Sequence, residues 1–291
     1  MIKQYYLFLL LGIIACQNKS HQTQSDAVEP EVFLSEFIPE NQIAHAGVFS
    51  FDQNDYYYTL SDIEYGTFTI MSTSKKDEQW TKPDTAIFNT EYNEHGVHFT
   101  PDGRELYFSS TRPVGSDTIP DTWHIWHCER IDASWSTPEF VNIPHLSQKL
   151  VSHPSSTQSG RLYFHVANTD YSNLTIYFAD KSGEQFLEAQ RLNLPSDFNY
   201  NCLTPFISPD ESYLIFAKIV ENKEELFISY RENRAWGECI RLADKINTNN
   251  LGNPYVTADG AYLYYASGEK SAYGLPYNWV IRKIPTNSML P

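Results

Sequence analysis

One short stretch recurs five times in this chain and limits what it can fold into. Its fullest copy runs Phe99-Thr100-Pro101-Asp102-Gly103-Arg104-Glu105-Leu106-Tyr107-Phe108-Ser109-Ser110. Pro presets φ, Asp bonds its own backbone and Gly supplies positive φ, so the centre is a tight turn. Leu106 and Phe108 then alternate with Tyr107 and Ser109, the period of a half-buried strand. The unit returns around Asp210 and Asp259, and in weaker form around Asp52 and Ser159. Those marks stand 50, 57, 51 and 49 residues apart. A period near fifty with four strand signals per unit predicts the blades of a β-propeller. No segment sustains the apolar spacing of a helix.

The predicted class is therefore all-β, a single propeller over residues 31–291 with four-stranded antiparallel blades. In the second unit the strands lie near His98–Thr100, Glu105–Ser110, Trp123–His127 and Glu139–Ile143. The fifth unit lacks its fourth strand. The run Glu31-Val32-Phe33-Leu34-Ser35-Glu36-Phe37-Ile38-Pro39 resembles the fourth strands at Glu139–Pro144 and Gln190–Pro195. It is expected to complete the last blade and close the ring, removing an open edge. Five such runs precede five turns, which predicts five blades; six would need a blade without a visible turn.

Residues 1–16 read as a targeting segment rather than as part of the fold. Lys3 precedes an apolar run from Tyr5 to Ala15, too short to span a bilayer comfortably. The run ends in Ile13-Ile14-Ala15-Cys16, which resembles a bacterial lipobox. That resemblance implies a diacylated Cys16 as the mature N-terminus; two or more acyl chains give stable anchoring. Residues 17–30 are polar and read as a tether. Cys128, Cys202 and Cys239 form no disulfide framework, although a Cys202–Cys239 bridge stays open. The net charge of −15 argues against nucleic acid and anionic headgroups as partners. Contact with a membrane is expected only through the anchor.

The pattern Ser/Thr-Pro-Asp-Gly-x-x-Leu-Tyr-Phe-x-Ser resembles the WD40-like PD40 repeat of TolB-type propellers and many bacterial envelope lipoproteins. It is carried by Thr100, Asp102, Gly103, Leu106, Tyr107, Phe108 and Ser110, by Ser208-Pro209-Asp210 with Leu214 and Phe216, and by Thr257, Asp259, Gly260, Leu263 and Tyr264. The resemblance implies a propeller in the cell envelope, facing the periplasm or the outside. It does not name a ligand. TolB itself adds an α/β domain and a sixth blade, which this sequence does not show.

In a propeller the loops opposite these turns surround the usual ligand funnel. There the sequence offers His45, His95 and His153, lying seven, seven and six residues before their turn marks, with Asn93, Thr204 and Asn253 nearby. They could bind a metal or fix a polar ligand at the mouth of the channel, or each could cap its own loop. No metal-ligand spacing accompanies them, and neither metal nor cofactor is expected. Arg112 is the candidate for a carboxylate or phosphate group, or else for a salt bridge between blades; if these are binding residues, removing Arg112 together with His95 and His153 is expected to abolish ligand binding and leave thermal unfolding nearly unchanged. Tyr65, Tyr171, Tyr273 and Tyr277 could stack on sugars or a partner protein. Paired acids for a glycoside hydrolase or lyase would come from Asp62, Glu64, Glu94 and Asp121, which also read as ordinary loop acids. The function expected is a non-catalytic, envelope-anchored module binding a protein partner, a glycan or a cell-wall fragment. The alternatives are an envelope hydrolase or lyase and a structural subunit of an envelope complex.

Overall fold

The computed structural model describes residues 28–115, 122–132, 134–270 and 276–291. They form five blades around a central axis. The innermost strands are Gln42–Phe49, Glu94–Phe99, Leu150–Ser156, Cys202–Ile207 and Asn250–Val256. Each pairs antiparallel with a second strand: Asp55–Asp62, Glu105–Ser110, Leu162–Ala167, Tyr213–Val220 and Tyr262–Lys270. Third and fourth strands follow outward in every sheet. The outermost strands are short in four of the blades, two residues at Gln79–Trp80 and Ser134–Trp135. Among the described residues, no helix is long and apolar enough to cross a membrane. The anchor at Cys16 and the signal segment lie outside the described residues.

The ring closes as the sequence predicts. Glu31 pairs with Lys283 and Val32 with Arg282, and the Phe33 amide donates to the Ile281 carbonyl at 2.8 Å. Phe33 then packs edge-on against Tyr264 of the last blade and Tyr56 of the first, at 5.1 and 5.0 Å. The closing strand is shorter than the sequence suggests. It stops at Val32, and Ser35–Phe37 form a 3-10 turn entered through Leu34 at φ +53°.

Each turn is held by its own side chains. Thr100 donates to Asp102 at 2.7 Å and accepts the Glu105 amide at 3.0 Å, while Asp102 accepts the Arg104 amide at 3.1 Å. The same web surrounds Ser50 with Asp52, and Thr257 with Asp259. Ser159 replaces the carboxylate in the third blade, bonded to Thr157. These bonds favour the ionised aspartates, so Asp52, Asp102, Asp210 and Asp259 all sit below the usual carboxylate range. Just beyond each turn a large apolar side chain enters the core: Tyr56, Leu106, Leu162, Leu214 and Leu263 are all fully buried. Each such burial contributes roughly 1.5–3 kcal/mol. Cys128, Cys202 and Cys239 are free and buried, so no Cys202–Cys239 bridge forms here.

Candidate functional site

Opposite the turns lies a funnel of about 760 Å³, within the size range of small-ligand sites. Its floor is set by a device repeated in all five innermost strands. Each has a register shift at the same height, with one residue in the left-handed region: Ala46, Gly96, His153, Thr204 and Asn253, at φ +52°, +68°, +55°, +47° and +51°. A bulge bends a strand and re-aims its side chains. Only one of the five is Gly, so the rest of the ring holds the other four in a conformation they adopt uncommonly. Pro follows at 154, 205 and 254, where the bulge requires no ladder donor. At and below this ring a small cavity of about 30 Å³, room for about one water, lies among the innermost strands.

The bulge amides tie neighbouring blades together. Gly96 donates to Thr59 at 3.2 Å, His153 to Ser109 at 3.0 Å, and Thr204 to His165 Nδ1 at 3.2 Å. In blade four the position matching Thr59 and Ser109 is Ala217, and the Asn253 amide bonds Thr204 Oγ1 instead, at 3.2 Å. Around this lattice the imidazoles gather. His95 and His153 lie 4.4 Å apart by ring centroid, His153 and His165 4.8 Å, and His45 and His95 6.4 Å. Ser152 Oγ sits 3.0 Å from His95 Nε2 and 3.1 Å from His153 Nδ1.

Burial pushes these imidazoles down, His45 to about 4 and His165 to about 3. His95 and His153 fall well below the ordinary value, first through burial and then through their neighbours' charge. At neutral pH the floor is therefore polar but uncharged. The sequence numbering treats the three histidines as equivalent; the register does not. His45 and His95 precede the bulge residue, whereas His153 is the bulge residue. Its one-residue offset from the turn mark carried that difference.

The walls come from one equivalent register position at or near the start of each third strand, which faces the funnel. Those positions hold Phe68, Trp123, Leu174, Glu224 and Trp279. Phe68 and Trp123 meet edge to face at 5.3 Å, and Trp123 covers His95 at 4.1 Å. Two loop tyrosines, both left-handed, reach these walls from the rim. Tyr171 Oη accepts from the Trp123 indole at 3.2 Å, and the Tyr65 hydroxyl lies beside the Trp279 indole nitrogen. Gly268 makes room for Trp279: a Cβ there would meet the indole at 2.6 Å. Glu224 is half-buried, and burial pushes its carboxyl up to about 7. It is the only carboxylate among the described lining residues, which include no Lys or Arg. Sequence reasoning missed Glu224 and His165. His165 is a polar residue inside the otherwise apolar strand Leu162–Ala167, and that was the available signal; Glu224 stands between Lys223 and Glu225 and offered none.

Other candidates are placed elsewhere. Arg112 does not line the funnel. It is buried in the wall, 2.9 Å from Glu94, bonded to the Phe88 carbonyl, with its guanidinium over Trp126. Glu94 accepts from Thr90 and Ser110 as well, so both charges are already satisfied; Arg112 makes a structural salt bridge, but within the second blade rather than between blades. Asp62 caps its own turn, accepting the amides of Glu64 and Gly66 at 2.9 Å and the Thr67 hydroxyl at 2.6 Å. Glu64 is exposed at that turn. Asn93 and Asn253 do line the funnel. Asp121, Tyr273 and the Tyr277 side chain lie outside the described residues. Among the described residues, no group of three or more His, Cys, Asp or Glu is arranged to hold a metal.

No protein-family model matches the chain, and no curated protein matches it by sequence. Solved structures do match. A protein assigned as TolB from Agrobacterium tumefaciens aligns at a TM-score of 0.53 and 15% identity, over 85% of this chain and 79% of that one. The GH43 endo-arabinanase of Bacillus licheniformis aligns at 0.51 and 14%, over 84% and 94%. The α-L-arabinofuranosidase of Podospora anserina aligns at 0.53 and 10%, over 89% and 94%. Identities this low speak to architecture alone, since one fold hosts many functions. The chain is a five-bladed β-propeller, and the propeller architecture is one it shares with TolB proteins and glycosidases alike.

Proposed function

We propose that this protein is a binding module of the bacterial cell envelope, anchored through Cys16, whose funnel takes a glycan or cell-wall fragment. The observation that carries the reading is the funnel's composition. Aromatic faces on its walls suit the apolar faces of sugar rings. Uncharged imidazoles and the side chains of Asn93 and Asn253 offer convergent hydrogen bonds on its floor. A rigid ring holds these groups at fixed spacing, which lowers the cost of ordering them on binding. The Ile13-Ile14-Ala15-Cys16 motif and the resemblance of the repeat to envelope propellers support the location.

A hydrolase would read Glu224 as a general acid still carrying its proton near neutrality. It would also need a second carboxylate across the sugar. Among the described lining residues there is none.

The test is a calorimetric screen of soluble cell-wall fragments and glycans against residues 28–291, each sample then analysed for turnover. A ligand that binds and survives intact is the expected result. Cleavage of a bound glycan would replace the binding module with the hydrolase. For the location, Cys16→Ser is expected to move the protein from the membrane fraction to the soluble fraction.

A further inference from the structure

Four other carboxylates packed among the strands have cations beside them. Glu94 meets Arg112 at 2.9 Å, Glu105 meets Lys181 at 2.9 Å, Glu211 meets Arg161 at 2.9 Å, and Glu225 meets Arg241 at 2.8 Å. Glu224 has no such cation, and its carboxylate accepts no hydrogen bond, among the described residues. A charge partly withdrawn from water without a partner is costly. The acid sits on the funnel wall beside a cluster of aromatic groups. Tyr65 lies against the Trp279 indole and within reach of the Glu224 charge. Phe68 is 6.2 Å from Tyr65 by ring centroid. The faces of such rings are negative and attract cations. The four imidazoles on the floor are uncharged at neutral pH, so the protein supplies no opposing positive charge there. The net charge of −15 adds a long-range field that draws cations in.

We infer that the funnel selects ligands bearing a protonated amine or quaternary ammonium, held between the Glu224 carboxylate and the Trp279–Tyr65–Phe68 wall. This rests on the funnel being the binding site and narrows its ligand to an amine-bearing class, such as a free amino sugar. It explains why one wall position in five is acidic while the other four are apolar.

The experiment uses the full-length chain and two matched probe pairs at pH 7, followed by calorimetry. One pair is choline and its neutral carbon isostere 3,3-dimethyl-1-butanol. The other is the glucosamine trimer and its fully N-acetylated form. Within each pair the cationic member is expected to bind at least tenfold more tightly. Glu224→Gln should abolish that preference with little change in thermal unfolding, and Trp279→Ala should weaken both members. Equal binding within each pair, unchanged by Glu224→Gln, would overturn the inference and leave the glycan reading standing. A Glu224-dependent choline site with no saccharide binding would uphold the inference and remove the glycan reading. Failure of all four probes to bind at millimolar concentration would remove both.

Discussion

The two faces of this ring are built by opposite rules. On the turn face the blades repeat one another: a hydroxyl, an aspartate or its serine substitute, and a buried residue four positions or so beyond. On the funnel face equivalent positions differ in every blade but the two tryptophans, running Phe68, Trp123, Leu174, Glu224 and Trp279. Repetition is what a shared fold requires of each blade, because every blade must solve the same turn and the same packing problem. Variation on a common frame is what recognition requires, because a ligand meets five different side chains at one height. The left-handed bulges join the two regimes. Their backbone repeats in all five blades, while the side chains they aim into the funnel do not.

The largest test of this contrast is acid. In the window between about pH 6.5 and the depressed folded values, the unfolded chain binds protons that the folded imidazoles refuse. Stability from this source is therefore fully present above about pH 6.5 and is lost as pH falls toward 4, at about 1.4 kcal/mol per pH unit for each imidazole. With His45, His95, His98, His153 and His165 all lowered, urea unfolding at pH 5 is expected to show a loss on the order of 10 kcal/mol relative to pH 7. Replacing His45 and His165 by Gln should flatten that slope. An unchanged slope would mean that the floor is wet and its imidazoles titrate normally.

Next in size is Arg112→Ala. It strips the partner from a Glu94 carboxylate that is 1% exposed, and breaking a buried pair costs about 3–5 kcal/mol. The sequence alone left Arg112 open between a ligand-binding residue, whose loss would spare the fold, and a salt bridge between blades; denaturant unfolding of the variant should show a large shift in midpoint. A midpoint within experimental error of wild type would return Arg112 to the recognition face.

Smallest is the turn web. Asp102→Ala, Asp210→Ala and Asp259→Ala each remove turn hydrogen bonds near the surface, at about 1 kcal/mol apiece. The three sites stand in separate blades and share no partners, so the triple variant should lose close to the sum in thermal unfolding. Ligand affinity should be untouched. Strong non-additivity would show that the turns act on one another through the ring.

The sequence made the architecture legible because the turn chemistry and the alternation after it are local, and the numbering kept them in step. Ring closure could be read for the same reason, in the likeness of Glu31–Pro39 to other fourth strands, although its early stop at Val32 could not. The funnel was legible only in part. His45, His95 and His153 were placed on the right face, but the bulge that separates the role of His153 depends on register between strands. Arg112 and Glu94 looked like loop groups because nothing local reveals that Thr90, Phe88 and Trp126 close over them. Glu224 was invisible beside Glu225; only the alternation of faces sends one toward Arg241 and the other into the funnel.

The central claim is that recognition belongs to the funnel face and architecture to the turn face. The most direct measurement is calorimetric titration of one intact ligand from the screen against Trp123→Ala, Trp279→Ala and Phe51→Ala, the last an exposed aromatic beside the turns. Both funnel variants should bind at least tenfold more weakly, as expected for truncating an aromatic anchor, while Phe51→Ala binds as wild type. Loss of binding in Phe51→Ala with both tryptophan variants unaffected would place recognition on the opposite face and contradict the account.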